Sequence, residues 1–204
     1  MNKKKLTIKE TLSLAWQKHQ ANDLNAAEKL YKEILRIRPE DFQSLFLLGS
    51  LFAQKQRFDS AKKLLIKAIE IEPKNLAGLN NLGNVLNELG DASKAIECYQ
   101  KAIEINPNYA DAHNNFGNVL KEQGEQKKAI ECYRKAIEIN PNYADAYNNL
   151  GVILKESGEY KKAVTCYEKA LKIQPNKINV YNNLGIIFQE YGEMEKAINC
   201  YKQL

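Results

Sequence analysis

The sequence predicts an all-α fold, an α-solenoid of tandem 34-residue helix-turn-helix repeats, on three observations. The five prolines, Pro39, Pro73, Pro107, Pro141 and Pro175, are all 34 residues apart. Gly49, Gly83, Gly117, Gly151 and Gly185 form a second series with that period, and Ala27, Ala61, Ala95, Ala129, Ala163 and Ala197 a third. Self-similarity at a fixed period of this size marks a stack of repeats that bury their apolar faces on one another. Placing proline at position 32 gives repeats over 8–41, 42–75, 76–109, 110–143 and 144–177, a partial repeat over 178–204, and a basic N-terminal extension over 1–7.

Repeat one departs from the common pattern with Thr11 at position 4, Ala15 at position 8 and Asn22 at position 15. Repeat two departs with Gln56 at position 15 and Leu65 at position 24, and such degenerate units fit the capped end of a solenoid. Repeat three is regular. From Ala77 to Leu89, Leu79, Leu82, Val85, Leu86 and Leu89 recur at helical spacing. Gly90 offers the left-handed conformation that ends a helix, and Asp91 suits the start of the next. From Ala92 to Ile105 the apolar series is Ala95, Ile96, Tyr99, Ala102, Ile103 and Ile105, and Pro107 stops it. A glycine at position 8 predicts close helix approach there, with Tyr31, Tyr99, Tyr133, Tyr167 and Tyr201 at position 24 filling the remaining space. Repeats four and five follow the same plan. Repeat six ends at Leu204, position 27, with Ala197, Ile198, Tyr201 and Leu204 expected to face a further repeat. That ending predicts a native polypeptide that continues, or an uncapped last helix that self-associates or meets a partner.

Composition excludes several classes. The 204 residues are 44% hydrophobic and 27% charged, with 30 Lys and Arg against 25 Asp and Glu for a net charge of +5. That balance predicts neither disorder nor a nucleic-acid module. No apolar run reaches the roughly 20 residues of a membrane span, and Lys9 and Glu10 interrupt any signal-like stretch, so the expectation is a cytoplasmic protein. Cys98, Cys132, Cys166 and Cys200 all fall at position 23, one per repeat. Equivalent helices lie about 8–10 Å apart, so free thiols are expected, and a row of thiols does not converge on zinc. His19 and His113 stand alone, and there is no HExxH, CxxC, GxSxG or phosphate-binding glycine loop. The expectation is therefore no catalytic residue, no metal site and no cofactor in this segment.

Tyr147, Leu150, Gly151, Ala163, Tyr167, Ala170 and Pro175 occupy positions 4, 7, 8, 20, 24, 27 and 32 of repeat five. On these residues, and their counterparts in repeats three and four, the chain resembles the tetratricopeptide repeat family. The resemblance implies a right-handed superhelix whose concave groove, lined mainly by each first helix, holds an extended peptide or a partner helix. It puts positions 2, 5, 6, 9, 12 and 13 on or near that face. Position 6 carries Asn81, Asn115, Asn149 and Asn183, and position 9 carries Asn84 and Asn118. An Asn amide both donates and accepts, so a row of them suits the N–H and C=O groups of an extended peptide. Position 2 adds Asp111 and Asp145, and position 13 adds Glu88, Glu122, Glu156 and Glu190. Two alternatives stay open: the asparagines can be family consensus, and the aspartates can serve the first-turn dipole.

The amide row resembles the repeat arm of O-linked N-acetylglucosamine transferases. The function this implies is a protein–protein interaction module that binds an extended peptide in its groove. The alternative is an N-terminal acceptor-recognition arm of a larger glycosyltransferase or sulfotransferase whose catalytic domain lies beyond Leu204. The cations of a carboxylate clamp are missing, so the expected ligand is a neutral or basic peptide. Repeats one and two differ in presenting Trp16, Phe46, Leu47 and Ser50 on the same face. Residues 1–75 hold 15 basic and 9 acidic residues, while 76–204 hold 15 and 16.

Overall fold

A computed structural model describes residues 6–203. The N-terminal extension up to residue 5, and Leu204, lie outside the described residues. The chain divides into two compact units, Met1–Asn106 and Pro107–Leu204. The first unit contains α1 (Ile8–Gln20), α2 (Leu24–Ile37), α3 (Phe42–Gln54), α4 (Phe58–Ile71), α5 (Leu76–Glu88) and α6 (Ala92–Ile105). The second contains α7 (Ala110–Glu122), α8 (Gln126–Ile139), α9 (Ala144–Glu156), α10 (Tyr160–Ile173), α11 (Ile178–Glu190) and α12 (Met194–Tyr201). The fold is all-α, a solenoid of sequential helix pairs.

Local chemistry sets the helix ends. Thr7 and Glu10 form a reciprocal capping box at the start of α1, and Asp41 and Asn75 accept from the backbone N–H groups of Ser44 and Gly78. At position 15, Gly90, Gly124, Gly158 and Gly192 have φ between +74° and +79°, the conformation that closes a first helix. Asp91 N–H then donates to Leu86 C=O at 2.9 Å, satisfying one of the last carbonyls. Asn22 (φ +59°) and Gln56 (φ +56°) adopt the same conformation without glycine. Asn tolerates it; for Gln56 the Cβ is strained against the backbone.

The two helices of a repeat meet where position 8 faces position 24. A Cβ on Gly83, Gly117 or Gly151 would come within 2.6–2.7 Å of the ring of Tyr99, Tyr133 or Tyr167. Those tyrosines are at most 1% exposed. In repeat two the pair is Gly49 and Leu65, and in repeat one the same positions hold Ala15 and Tyr31, both fully buried. The second unit's core joins Tyr133 and Tyr167 to Leu150, Ile153, Leu154, Val180, Leu184 and Ile187.

Helix contacts also show which face is concave in each unit. Second helices pack on the next first helix, as α2 on α3 and α8 on α9. Successive first helices touch, α1 with α3 and α3 with α5 in the first unit, α7 with α9 and α9 with α11 in the second. Among the described residues, no such contact joins successive second helices within a unit. First helices therefore line the inner side of each unit, and second helices fan apart on the outer side.

The last repeat corrects one expectation. Ala197 is 3% exposed, and Tyr201 packs its ring on Gly185 and donates its hydroxyl to Gln189 at 3.2 Å. Positions 20 and 24 face the helix partner inside the same repeat, so neither residue points outward. Ile198, 50% exposed, does point outward.

Charge is concentrated on one carboxylate of the first unit. Glu28 accepts from Lys32 at 2.6 Å, Lys55 at 2.9 Å and Arg57 at 3.3 Å, with Arg57 also 4.2 Å from the centre of the Phe52 ring. Burial alone would raise its pKa, but the hydrogen bonds and charges of Lys32 and Lys55 bring it down to about 2.

Two stability predictions follow from these features. Gln56→Gly relieves the left-handed strain and should raise unfolding free energy by about 0.5–1 kcal/mol in urea titrations; an unchanged or lowered midpoint contradicts the strain. Glu28→Gln should cost about 1–2 kcal/mol at pH 7. The folded pKa lies below the unfolded one, so this stabilisation is present above about pH 4.5 and lost as pH falls toward about 2. Urea midpoints of the two proteins should converge over that window, and a constant gap would assign the loss to packing.

Candidate functional site

The inner face of the second unit carries a hydrogen-bonded amide cluster. Asn149 Nδ2 donates to Asn114 Oδ1 at 3.1 Å and to Asn118 Oδ1 at 3.0 Å. Asn118 Oδ1 also accepts from the buried Tyr133 hydroxyl at 2.8 Å. Asn114 and Asn148 each donate to the neighbouring position-6 amide, Asn115 at 3.1 Å and Asn149 at 3.4 Å. Asn183 accepts from Lys155 Nζ at 3.3 Å. In the first unit, Asn81 donates to Ser50 Oγ at 3.0 Å, and Tyr99 donates to Asn84 Oδ1 at 2.7 Å. Asn118 and Asn149 are thus held by each other and by Tyr133, Asn84 by Tyr99, and Asn81 and Asn183 by Ser50 and Lys155. Asn149 already uses both of its N–H donors within the protein.

Position 5 contributes more than sequence reasoning assigned to it. Asn80, Asn114 and Asn148 are only 4–7% exposed, and Asn114 and Asn148 bond the position-6 residues that follow them. The signal was present as an Asn-Asn pair recurring in repeats three to six, Asn80-Asn81 through Asn182-Asn183.

The network breaks in repeat five, where position 9 is Val152 in place of asparagine. The Tyr167 hydroxyl and Asn148 Oδ1 are buried there with no hydrogen-bond partner. A buried hydroxyl in that state forgoes its hydration without a replacement bond. Burial pushes the pKa of both Tyr133 and Tyr167 far up, so each remains a neutral donor across the ordinary pH range.

Asp111 and Asp145 are exposed at the first turn of α7 and α9. Lys177 Nζ lies 2.5 Å from Asp145 Oδ1, which offsets that charge. Asp111 lies beside the Tyr143 hydroxyl, and burial, followed by that carboxylate, pushes the Tyr143 pKa up. Both acids therefore meet position 34 of their own repeat. Further acids stand in i,i+3 pairs at the start of second helices, Asp91 with Lys94, Glu125 with Lys128 and Glu159 with Lys162.

Cys98, Cys132 and Cys166 are half-buried, Cys200 is buried, and none is in a disulfide. Burial, chiefly, pushes the Cys98 and Cys132 thiols to about 11 and raises Cys166 and Cys200, which disfavours the nucleophilic thiolate at neutral pH. His113 Nε2 lies 2.9 Å from Pro107 C=O, and His19 lies between Gln54 and the Tyr31 hydroxyl. Among the described residues, no three of His, Cys, Asp and Glu are placed to hold a metal ion. No helix among them is long and apolar enough to cross a membrane.

Profiles described as TPR repeat match residues 83–124 and 117–158, and profiles described as tetratricopeptide repeat match 18–82, 144–177 and 166–199. The chain belongs to the tetratricopeptide repeat family, whose repeats serve as protein-interaction modules. Its structure is similar to that of MamA, at 29% identity over 81% of this chain and 96% of that one, with a TM-score of 0.67. It is also similar to YrrB, described as a TPR protein with an unusual peptide-binding site, at 26% identity over 84% and 88%, with a TM-score of 0.62. PilF of Pseudomonas aeruginosa shares the fold at 18% identity over 97% and 90%, with a TM-score of 0.83. No curated protein sequence matches the chain.

The contrast between repeats four and five can be measured. Tyr133→Phe removes a donor from Asn118 and should cost about 1 kcal/mol in urea unfolding. Tyr167→Phe removes a hydroxyl with no partner and should be neutral or stabilising. Equal losses in the two variants would show that the hydroxyls have equivalent surroundings.

Proposed function

We propose that residues 8–204 act as a protein–protein interaction module that grips an extended peptide through main-chain hydrogen bonds to the inner-face asparagines. The observation that carries this reading is the anchored amide cluster: Asn149 fixed by Asn114 and Asn118, and Asn118 fixed in turn by Tyr133. Fixed amides lose little rotamer freedom on binding, which favours a ligand that must itself be ordered. The contacts come from Asn81, Asn84, Asn115, Asn118, Asn149 and Asn183, with Asp111 and Asp145 at the edge. Exposed Glu88, Glu156 and Glu190 add negative charge, so neutral or basic peptides are preferred. Similarity to YrrB, a protein described as having a peptide-binding site, supports the reading. The row's resemblance to the repeat arm of O-linked N-acetylglucosamine transferases supports it too, and brings the alternative of an acceptor-recognition arm of a larger transferase. Exposed Met194 and Ile198 on α12 support self-association through that helix. Unpaired thiols fit a reducing compartment such as the cytoplasm.

A library of neutral and basic peptides tests the main-chain contact, because N-methylation removes backbone donors and leaves side chains unchanged. Binders should lose about tenfold or more in affinity on N-methylation. They should lose as much to the protein with Asn81, Asn115, Asn149 and Asn183 replaced by alanine, its helical circular dichroism unchanged. Affinities indifferent to both changes would remove the amide row from the binding surface.

A further inference from the structure

The first two repeats lack the amide row and form a pocket in its place. Leu12, Trp16, Phe42, Phe46 and Leu47, with Lys9 at the edge, line a concavity of about 500 Å³ between α1 and α3. Leu12 and Phe46 occupy position 5, Leu47 position 6 and Trp16 position 9, which are the amide positions of later repeats. Trp16 is 44% exposed, and Phe42 and Phe46 are half-buried with rings parallel within 4° and 5.9 Å apart. Apart from Lys9, the Trp16 indole N–H and the Ser13 and Gln43 side chains, which also line the slot, nothing here hydrogen-bonds a peptide backbone as the amide row does. The lining offers instead an open apolar slot that a large side chain can fill.

The charge lining the slot itself is positive. Lys9 is its only charged lining residue and has no ion-pair partner among the described residues. The neighbouring acid, Glu10, is turned back into the cap of α1, where its carboxylate accepts from Thr7 N–H at 2.8 Å. The Asp41 carboxylate is likewise committed to Ser44 N–H at 2.9 Å. Over residues 1–75 there are 15 basic and 9 acidic residues, with Lys3, Lys4 and Lys5 close in sequence to Lys9. We propose that this slot is a second binding site, distinct from the amide row, for an acidic protein segment that inserts one aromatic or leucine side chain between Trp16 and the Phe42–Phe46 pair. Burial of that anchor supplies affinity, and Lys9 selects for carboxylates beside it.

Trp16 is the only tryptophan in the chain, so intrinsic fluorescence reports on the slot directly. The probes are short synthetic peptides of Asp, Glu, Ser and Gly carrying a single Phe or Leu. Matched controls lack that residue or carry Lys in place of the acids. The acidic anchored peptides should shift Trp16 emission saturably on the full chain, and each control should bind about tenfold more weakly or worse. Lys9→Glu, at an exposed position, should weaken binding as much; Phe46→Ala should abolish it with circular dichroism unchanged. The variant with Asn81, Asn115, Asn149 and Asn183 replaced by alanine should respond like the parent, which separates this site from the amide row. Equal binding of the Lys peptides, no response to any anchored peptide, or a response only to phosphatidylserine vesicles would each overturn the proposal.

Discussion

One close approach governs repeats three to six: a position-8 glycine presses against the position-24 ring of the partner helix. At Gly83, Gly117 and Gly151 a Cβ would overlap the tyrosine, so the ring fills that volume and fixes the spacing of the pair. The same ring reaches through to the inner face, where Tyr99 and Tyr133 donate to Asn84 and Asn118. Core packing and surface chemistry are thus joined in one side chain. A change to the glycine shifts the ring, and the ring carries the amide with it.

Position 9 shows how much the surface can vary on this constant frame. Asparagine there completes a network running from the core through Tyr133 to Asn118 and Asn149. Valine there leaves Tyr167 buried with no bond to its hydroxyl. Tryptophan there, in repeat one, opens an apolar slot. The first helix is 13 residues long in all three, while the chemistry offered to a ligand ranges from amide to aliphatic to aromatic.

The period, the helix pairs and the glycine–tyrosine contact were legible in the sequence because each depends on local spacing and on residues with narrow conformational roles. Proline stops the second helices, and the position-15 glycines of repeats three to six end the first helices with positive φ. The second-helix start at Ala92 and its end at Ile105 were read directly, whereas the preceding first helix begins one residue earlier than spacing suggested. Less legible was which amide bonds which. Asn148 and Asn149 are identical letters, yet the first is buried and the second half-buried. The charge of Asp145 could not be judged either, since Lys177 lies 32 residues away and meets it only through the fold. Likewise Ala197 and Tyr201 resembled exposed edge residues until their own repeat covered them.

Within each unit a helix touches only elements up to two places along the chain. Interfaces of this kind repeat in kind, so a whole copy can be gained or lost by duplication or deletion of its coding segment without inventing a new packing surface. Such a lineage can lengthen its binding surface in 34-residue increments and then specialise each copy separately. In this chain the first two repeats differ from the near-uniform third to fifth, so a fresh duplicate of a uniform copy would extend the amide row and would not supply the aromatic slot.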